Sequence, residues 1–186
     1  KNGGTMICFY DLWKITTLKE YFDRANFKQI RLIEWLKTNP VPLNSKTNYL
    51  TNAREIAVVG VKKGKPTFHS EYDNGVYRYP ICHDKGRFHP TQKPVALIEE
   101  LISKHSNEGD IVLDCFSGSG TTAVAAHNQN RNFAVLIISF LVGSQHHSAA
   151  EISALHGACH PDLRIFVRNS VNRHLRVRTL VVNRQK

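Results

Sequence analysis

The sequence predicts an α/β fold with a largely parallel central sheet, on three observations. A short apolar run, Ile111 to Leu113, ends in Asp114 and suits a buried parallel strand. It feeds directly into a glycine turn, Gly118-x-Gly120-x-x-Ala123, and a helix start over Thr121 to Ala126. The clearest helix of the chain, Pro94 to His105, lies just before it, with Leu97, Ile98, Leu101 and Ile102 on one stripe. A strand, a glycine turn and a helix start together make a nucleotide-type cofactor pocket, because the backbone must bend sharply and meet a ligand without a Cβ in the way. Alone, the same glycine pattern also marks an ordinary strand-to-helix turn. No Gly-Lys-Ser/Thr ending follows it, which argues against a P-loop for nucleoside triphosphates.

The other elements follow in order. Gly3 to Phe9 reads as a turn into a buried strand that Asp11 ends. Thr16 or Thr17 caps a helix through about Ala25, with Leu18, Tyr21 and Phe22 on one face. Phe27 to Trp35 is a strand of imperfect alternation, with Ile30, Leu32 and Glu34 set against Arg31, Ile33 and Trp35. Pro40 and Pro42 break regular structure, and Glu55 to Lys62 pairs back as a second strand. The stretch from Lys63 to His89 has little periodicity but interleaves Phe68, Tyr72, Tyr77, Tyr79 and Phe88 with Lys63, Lys65, Arg78, Lys85 and Arg87. That mixture suits phosphate contacts with stacking, and equally suits a surface excursion anchored by a few aromatics. In the helix from Pro94, the proline fits the first turn, Glu99, Glu100 and Lys104 face water, and Asn107-Glu-Gly109 stops it.

Composition narrows the partners. At 186 residues with 41% hydrophobic content, the chain is long and apolar enough for one domain with a sizeable core. A net charge of +10 favours a polyanion, with nucleic acid first. Cys8, Cys82, Cys115 and Cys159 form no C-x-x-C pair and read as reduced thiols of a cytosolic protein. No apolar run is long enough to span a membrane and no signal peptide is recognisable. His146-His147 and His156-x-x-Cys159-His160 lack the paired spacing of a zinc site, so no metal is expected.

Two motifs carry a resemblance. Asp114-Cys-Phe-Ser-Gly-Ser-Gly-Thr-Thr122, preceded by His89-Pro-Thr-Gln-Lys-Pro94, resembles the bacterial DNA amino-methyltransferases, which use S-adenosylmethionine to methylate adenine N6 or cytosine N4. The order of the motifs is that of the permuted β group, and the resemblance covers about Asn2 to Phe133. It implies a partial Rossmann-like methyltransferase fold over 1–133, an adenine-N6 enzyme of a restriction-modification system acting on double-stranded DNA, and a bacterial cytoplasmic location, with cytosine N4 as the alternative target. A cognate restriction endonuclease is the implied partner. Cofactor contacts are implied for His89, Thr91, Gln92, Lys93, Asp114, Phe116, Gly118, Ser119, Gly120, Thr121 and Thr122. Thr91 and Lys93, at a helix start, would meet the carboxylate of the cofactor's methionine part. Lys37, Asn39 and Pro40 match the Lys-x-Asn-Pro-x-Pro stretch that borders the target base in the family, and 63–89 falls where the family reads its DNA sequence.

The chain also departs from the family. The Asp/Asn-Pro-Pro-aromatic tetrapeptide that supplies the catalytic acceptors is absent, and in the permuted order it would precede Lys1, so no catalytic residue is assigned. The apolar stretch Ala134 to Ser139 lacks the acidic residue that would bind the ribose hydroxyls. Beyond it, 134–186 reads as an atypical basic tail. Lysine disappears after Lys104 until Lys186, and Arg164, Arg168, Arg173, Arg176, Arg178 and Arg184 take its place. A shifted reading frame, a fusion or a degraded gene would produce such a change, and the mass of the natural protein tests that hypothesis. The tail also reads as a basic nucleic-acid arm in which Ile165, Val167, Leu175, Val177, Leu180 and Val181 make strands. A remnant that binds DNA by charge alone is the rival function. A nicotinamide oxidoreductase is a poorer one, since it explains neither His89-Pro-Thr-Gln-Lys-Pro94 nor the basic charge.

Overall fold

Two four-stranded sheets carry the chain in the computed structural model, which describes residues 2–41, 50–82, 92–140, 163–172 and 175–184. By contacts the chain forms two compact units, residues 1–83 with 103–106, and residues 84–102 with 107–186.

The first unit is built on β1 (Gly4–Tyr10), α1 (Ile15–Arg24), β2 (Phe27–Lys37), β3 (Arg54–Lys62) and β4 (Val76–Tyr79), in the sheet order β1-β3-β2-β4. β3 is antiparallel to both of its neighbours, and β4 is parallel to β2. β1 and β2 therefore run the same way, joined by the crossover helix α1, and β3 is inserted between them. The reason is local. β3 follows β2 in sequence and pairs with it antiparallel, the arrangement that needs no crossover. Under α1 the core holds Leu18, Phe22 and Val58, with Ile15, Phe27 and Ile30 packed against them.

Local chemistry alters three details. The helix is capped upstream of the threonines: Asp11 Oδ1 accepts the N–H of Trp13 at 3.0 Å, a 3-10 turn fills Leu12–Lys14, and Thr16 and Thr17 lie inside α1. Tyr21 stays 57% exposed, with Arg24 over its ring, while Leu18 and Phe22 alone form the buried stripe. β2 carries a bulge between Lys28 and Arg31, with Gln29 at φ 53, and beyond it Ile33 and Trp35 are buried and Leu32 is exposed.

The second unit contains α2 (Val95–His105), whose last turn groups with the first unit, then β5 (Ile111–Asp114), α3 (Thr121–Asn128), β6 (Asn132–Phe140), β7 (Leu163–Asn172) and β8 (Leu175–Arg184). Its sheet order is β5-β6-β8-β7, with β5 and β6 parallel and the other two pairs antiparallel. β5, α3 and β6 are the βαβ unit read from the sequence. Ile102, Ala123, Ala125, Ala126 and Phe133 form its core, with Val95, Ile98 and Val112 against them. β6 runs across the 133/134 boundary, and β7 and β8 give the tail strand structure.

The α/β class is as expected, but both sheets are mixed rather than largely parallel. The parallel pairs are β5–β6, joined through α3, and β2–β4, which flank the antiparallel strand β3 in sequence; the other pairs are antiparallel. The strand read as buried also differs. Ile111 is 71% and Leu113 61% exposed, because β5 is an edge strand and only the side carrying Val112 faces the core.

Trp35 is among the largest fully buried side chains, and its indole N–H donates to the Tyr79 carbonyl at 2.9 Å. Trp35→Phe removes that donor, leaving the carbonyl only its bond from Thr38 N–H, and shrinks a fully buried side chain, so it should cost about 2–4 kcal/mol in urea-induced unfolding. An unchanged midpoint would show that the bond contributes nothing.

Candidate functional site

The glycine turn is built from the end of β5 upward. Asp114 is the last residue of the strand, and its Oδ1 accepts the N–H of Phe116 at 2.9 Å. That bond bends the backbone as the strand ends. Gly118 and Gly120 follow at φ 47 and 76, in the left-handed region that side chains resist. Gly120 N–H closes a turn onto the Ser117 carbonyl at 2.7 Å, and Gly120 is itself the N-cap of α3. The first helical bond runs from Val124 N–H to the Gly120 carbonyl, so the amides before it have no acceptor inside the helix. Ser119 and Thr121 exchange a hydroxyl hydrogen bond at 2.9 Å, and Thr121 Oγ1 donates to the Lys93 carbonyl at 3.5 Å. Ser117 and Thr121 are buried, whereas Phe116 is 80% exposed.

This geometry brings Asp114, Phe116, Gly118, Ser119, Gly120, Thr121 and Thr122 into one turn and ties Lys93 to it. Gln92 precedes Lys93 in the same unit. Pro94 is buried and its carbonyl accepts from Ile98 N–H, which makes it the residue that caps α2 rather than a member of its first turn. His89 and Thr91 lie outside the described residues, as do His146, His147, His156, Cys159 and His160. Among the described residues no group of histidines, cysteines and carboxylates is placed to hold a metal. Cys8, Cys82 and Cys115 form no disulfide, and burial pushes the Cys8 thiol above its ordinary value.

Lys37, Asn39 and Pro40 belong to the first unit, where β2 ends. The Lys37 ammonium pairs with Glu55 at 3.0 Å and lies over the Trp35 ring, with a tenth of its side chain exposed. Asn39 is engaged twice with one residue: its Oδ1 accepts Ile81 N–H at 2.6 Å and its Nδ2 donates to the Ile81 carbonyl at 3.4 Å. Thr38 N–H adds a bond to the Tyr79 carbonyl at 3.2 Å. These contacts splice residues 37–39 to 79–81, extending the parallel β2–β4 pairing past the strand ends. The pairing was not legible in the sequence, because the stretch from Lys63 lacks period-2 alternation and β4 is only four residues long.

A second cluster holds the middle of that stretch. Asp73 Oδ2 accepts from Lys104 Nζ at 2.7 Å and from the Tyr77 hydroxyl at 3.2 Å, and its Oδ1 accepts Gly75 N–H at 2.7 Å. Lys104 also lies over the Tyr77 ring and does not face water as its helical position suggests. Glu99, also placed facing water, is half-buried and accepts from Asn128 Nδ2. Burial opposes ionisation of Asp73, but the Lys104 ammonium, the Gly75 amide and the Tyr77 hydroxyl outweigh it and hold its carboxyl below the usual range. His105, stacked on Phe68, is pulled below its ordinary value by burial, against the opposing charge of Asp73.

Both shifts favour the folded state at neutral pH. The unfolded chain binds the proton more readily in each case, so stability falls with pH, first from about 6.5 downward for His105 and again from about 3.9 downward for Asp73. Asp73→Asn should lower the Tm at pH 7 and remove the lower step. Thermal unfolding across pH 3 to 8 measures both, and an unchanged lower step would deny Asp73 that role.

Comparison with known proteins assigns the family. A model of the DNA methylase family, covering N6 and N4 methyltransferases, matches residues 1–150. The chain belongs to this family. The Type II methyltransferase M2.MboI of Moraxella bovis is 32% identical over 148 residues, covering 72% of this chain and 54% of the relative. M2.DpnII of Streptococcus pneumoniae is 32% identical over the same length, covering 72% and 55%. The chain thus spans about half the length of the curated relatives it matches. Among solved structures, the M1.HpyAVI–SAM complex superposes with a TM-score of 0.62 at 35% identity, covering 73% of this chain and 68% of that one. The cytosine-N4-specific PvuII DNA methyltransferase superposes at 0.61 with 17% identity, a likeness of fold alone, over 73% of this chain and 59% of that one. The Rossmann-like α/β class read from the sequence is that of these DNA methylases.

Proposed function

We propose that this chain is the cofactor-binding and target-recognition portion of a bacterial DNA amino-methyltransferase of a restriction-modification system. It acts in the cytoplasm on double-stranded DNA, on adenine N6 in the first reading and cytosine N4 in the second, beside a cognate restriction endonuclease. The observation that carries the reading is the turn after β5, where a carboxylate-fixed bend, two left-handed glycines and an uncapped helix start coincide with the exposed Phe116 ring. A membership of the DNA methylase family and a relative crystallised with SAM support S-adenosylmethionine as the cofactor.

The residues present suit that cofactor. The glycine turn offers backbone without side chains, Phe116 offers an aromatic face, Asp114 offers a carboxylate, and the first amides of α3 offer donors. When bound, the cofactor supplies an electrophilic methyl group on a sulfonium. The chain's own task is to bind and orient. An exocyclic amine shares its lone pair with the ring and is a poor nucleophile, so placing it in line with the methyl group does most of the work. The base must first leave the duplex stack. Lys37, Asn39 and Pro40, fixed at the end of β2, would border the extruded base, and the stretch from Lys63 would read the flanking sequence. The Asp/Asn-Pro-Pro-aromatic acceptors are not in this sequence.

The test is methyl transfer from labelled S-adenosylmethionine to mixed-sequence duplex DNA, followed by digestion and nucleoside mass analysis. N6-methyladenine is expected from an N-terminally extended form that carries the tetrapeptide, and N4-methylcytosine would move the target to the second reading. Steeply salt-dependent DNA binding with no cofactor binding would instead fit a remnant that holds DNA by charge.

A further inference from the structure

Among the described residues Tyr72 is the most exposed large hydrophobic side chain, fully open to solvent. Its backbone stands at φ 42, in the left-handed region, where a bulky aromatic residue is strained. Asparagine or glycine would occupy this position at lower cost. The strain is not relieved by packing, so the fold gains nothing from the ring.

The surrounding chain is held firmly enough to impose that conformation. On one side His69 N–H donates to the Lys104 carbonyl at 2.9 Å and Phe68 stacks on His105. On the other, Asp73 is fixed by Lys104, Tyr77 and Gly75, Asn74 Oδ1 accepts Val76 N–H at 3.0 Å, and the Gly75 carbonyl accepts Glu34 N–H at 2.8 Å. Tyr72 is thus an apex between two anchors, presented outward by a rigid turn.

We propose that Tyr72 is a nucleobase-contacting residue of the recognition segment, an aromatic face held ready to stack on or wedge against a base of the target DNA. This rests on the reading of the chain as a DNA methyltransferase and adds a specific residue to it. The basic side chains Lys63, Lys65 and Arg78 of the same stretch are exposed and complement phosphates, on a chain of net charge +10. Glu71, exposed beside Tyr72, would repel a phosphate, so this apex suits bases in preference to the backbone. A planar, rigid side chain loses little freedom on stacking, and its contribution is independent of charge.

The two properties of Tyr72 separate in one variant. Tyr72→Gly relieves the left-handed strain and deletes the ring. It should raise the Tm and weaken binding to a labelled mixed-sequence duplex about tenfold, read by fluorescence anisotropy. The slope of affinity against salt should stay unchanged, since no phosphate contact is lost. Tyr72→Phe should bind like the wild type. If Tyr72→Gly binds DNA as the wild type does, the inference is overturned while the methyltransferase reading stands. If its Tm falls together with its affinity, the ring serves the fold and the inference is likewise overturned. If the wild-type chain itself does not bind the duplex, the reading on which the inference rests falls, and the inference with it.

Discussion

Asp114→Ala should weaken S-adenosylmethionine binding at least 100-fold. Two losses combine in it. The carboxylate is removed from the end of β5, where the proposed site needs an acceptor, and the Phe116 N–H loses the partner that bends the chain into the glycine turn. A hydrogen bond to a charged group contributes about 1.5–3 kcal/mol, and two such losses amount to roughly 3–6 kcal/mol, or a hundredfold and more in affinity. Asp114→Asn distinguishes them. It keeps an oxygen able to accept the Phe116 N–H but removes the charge, so it should fall between the wild type and the alanine variant. Isothermal titration with the cofactor, beside circular dichroism to verify the fold, reads both. Wild-type affinity in Asp114→Ala would remove the turn after β5 as the cofactor site.

The turn was legible in the sequence because its determinants are adjacent in the chain. A strand, a carboxylate, two glycines and a helix start fall within Ile111 to Ala126, and the structure assembles them as a βαβ unit with Gly118 and Gly120 at positive φ. The first unit was less legible because its determinants are distant. β4 is held by Trp35, Thr38 and Asn39 reaching residues about forty positions along, and none of these contacts leaves a periodic mark. Lys104 shows the same limit from the other side. Its position on α2 predicts a solvated charge, and only the fold brings Asp73 and Tyr77 to it. The alternation in β2 did not say which face is buried, and the structure buries Ile33 and Trp35 and exposes Leu32. The Lys37 and Asn39 side chains, expected at the target base, are engaged with Glu55 and Ile81. In the proposed function they fix the border of the base pocket before DNA arrives.

At Gly75 one added methyl group should do severe harm to the first unit. Its φ of 73 already disfavours any side chain, and a Cβ there would stand 2.8 Å from the carbonyl oxygen of Leu32. That oxygen is backbone of β2 and cannot swing aside. The Gly75 carbonyl also accepts Glu34 N–H and its own N–H binds Asp73, so a shift of the residue would unpick the start of the β2–β4 pairing and the turn beside Tyr72. Gly109 is the internal control. It has φ 79 and nothing within 4 Å of its would-be Cβ. Gly109→Ala should therefore lose only the left-handed penalty, about 1–2 kcal/mol. Gly75→Ala carries the same penalty plus the overlap with fixed backbone, and should lose about 3–5 kcal/mol. Urea unfolding of the two variants isolates the steric part as their difference. Equal losses would mean that β4 does not approach β2 as closely as its parallel register requires.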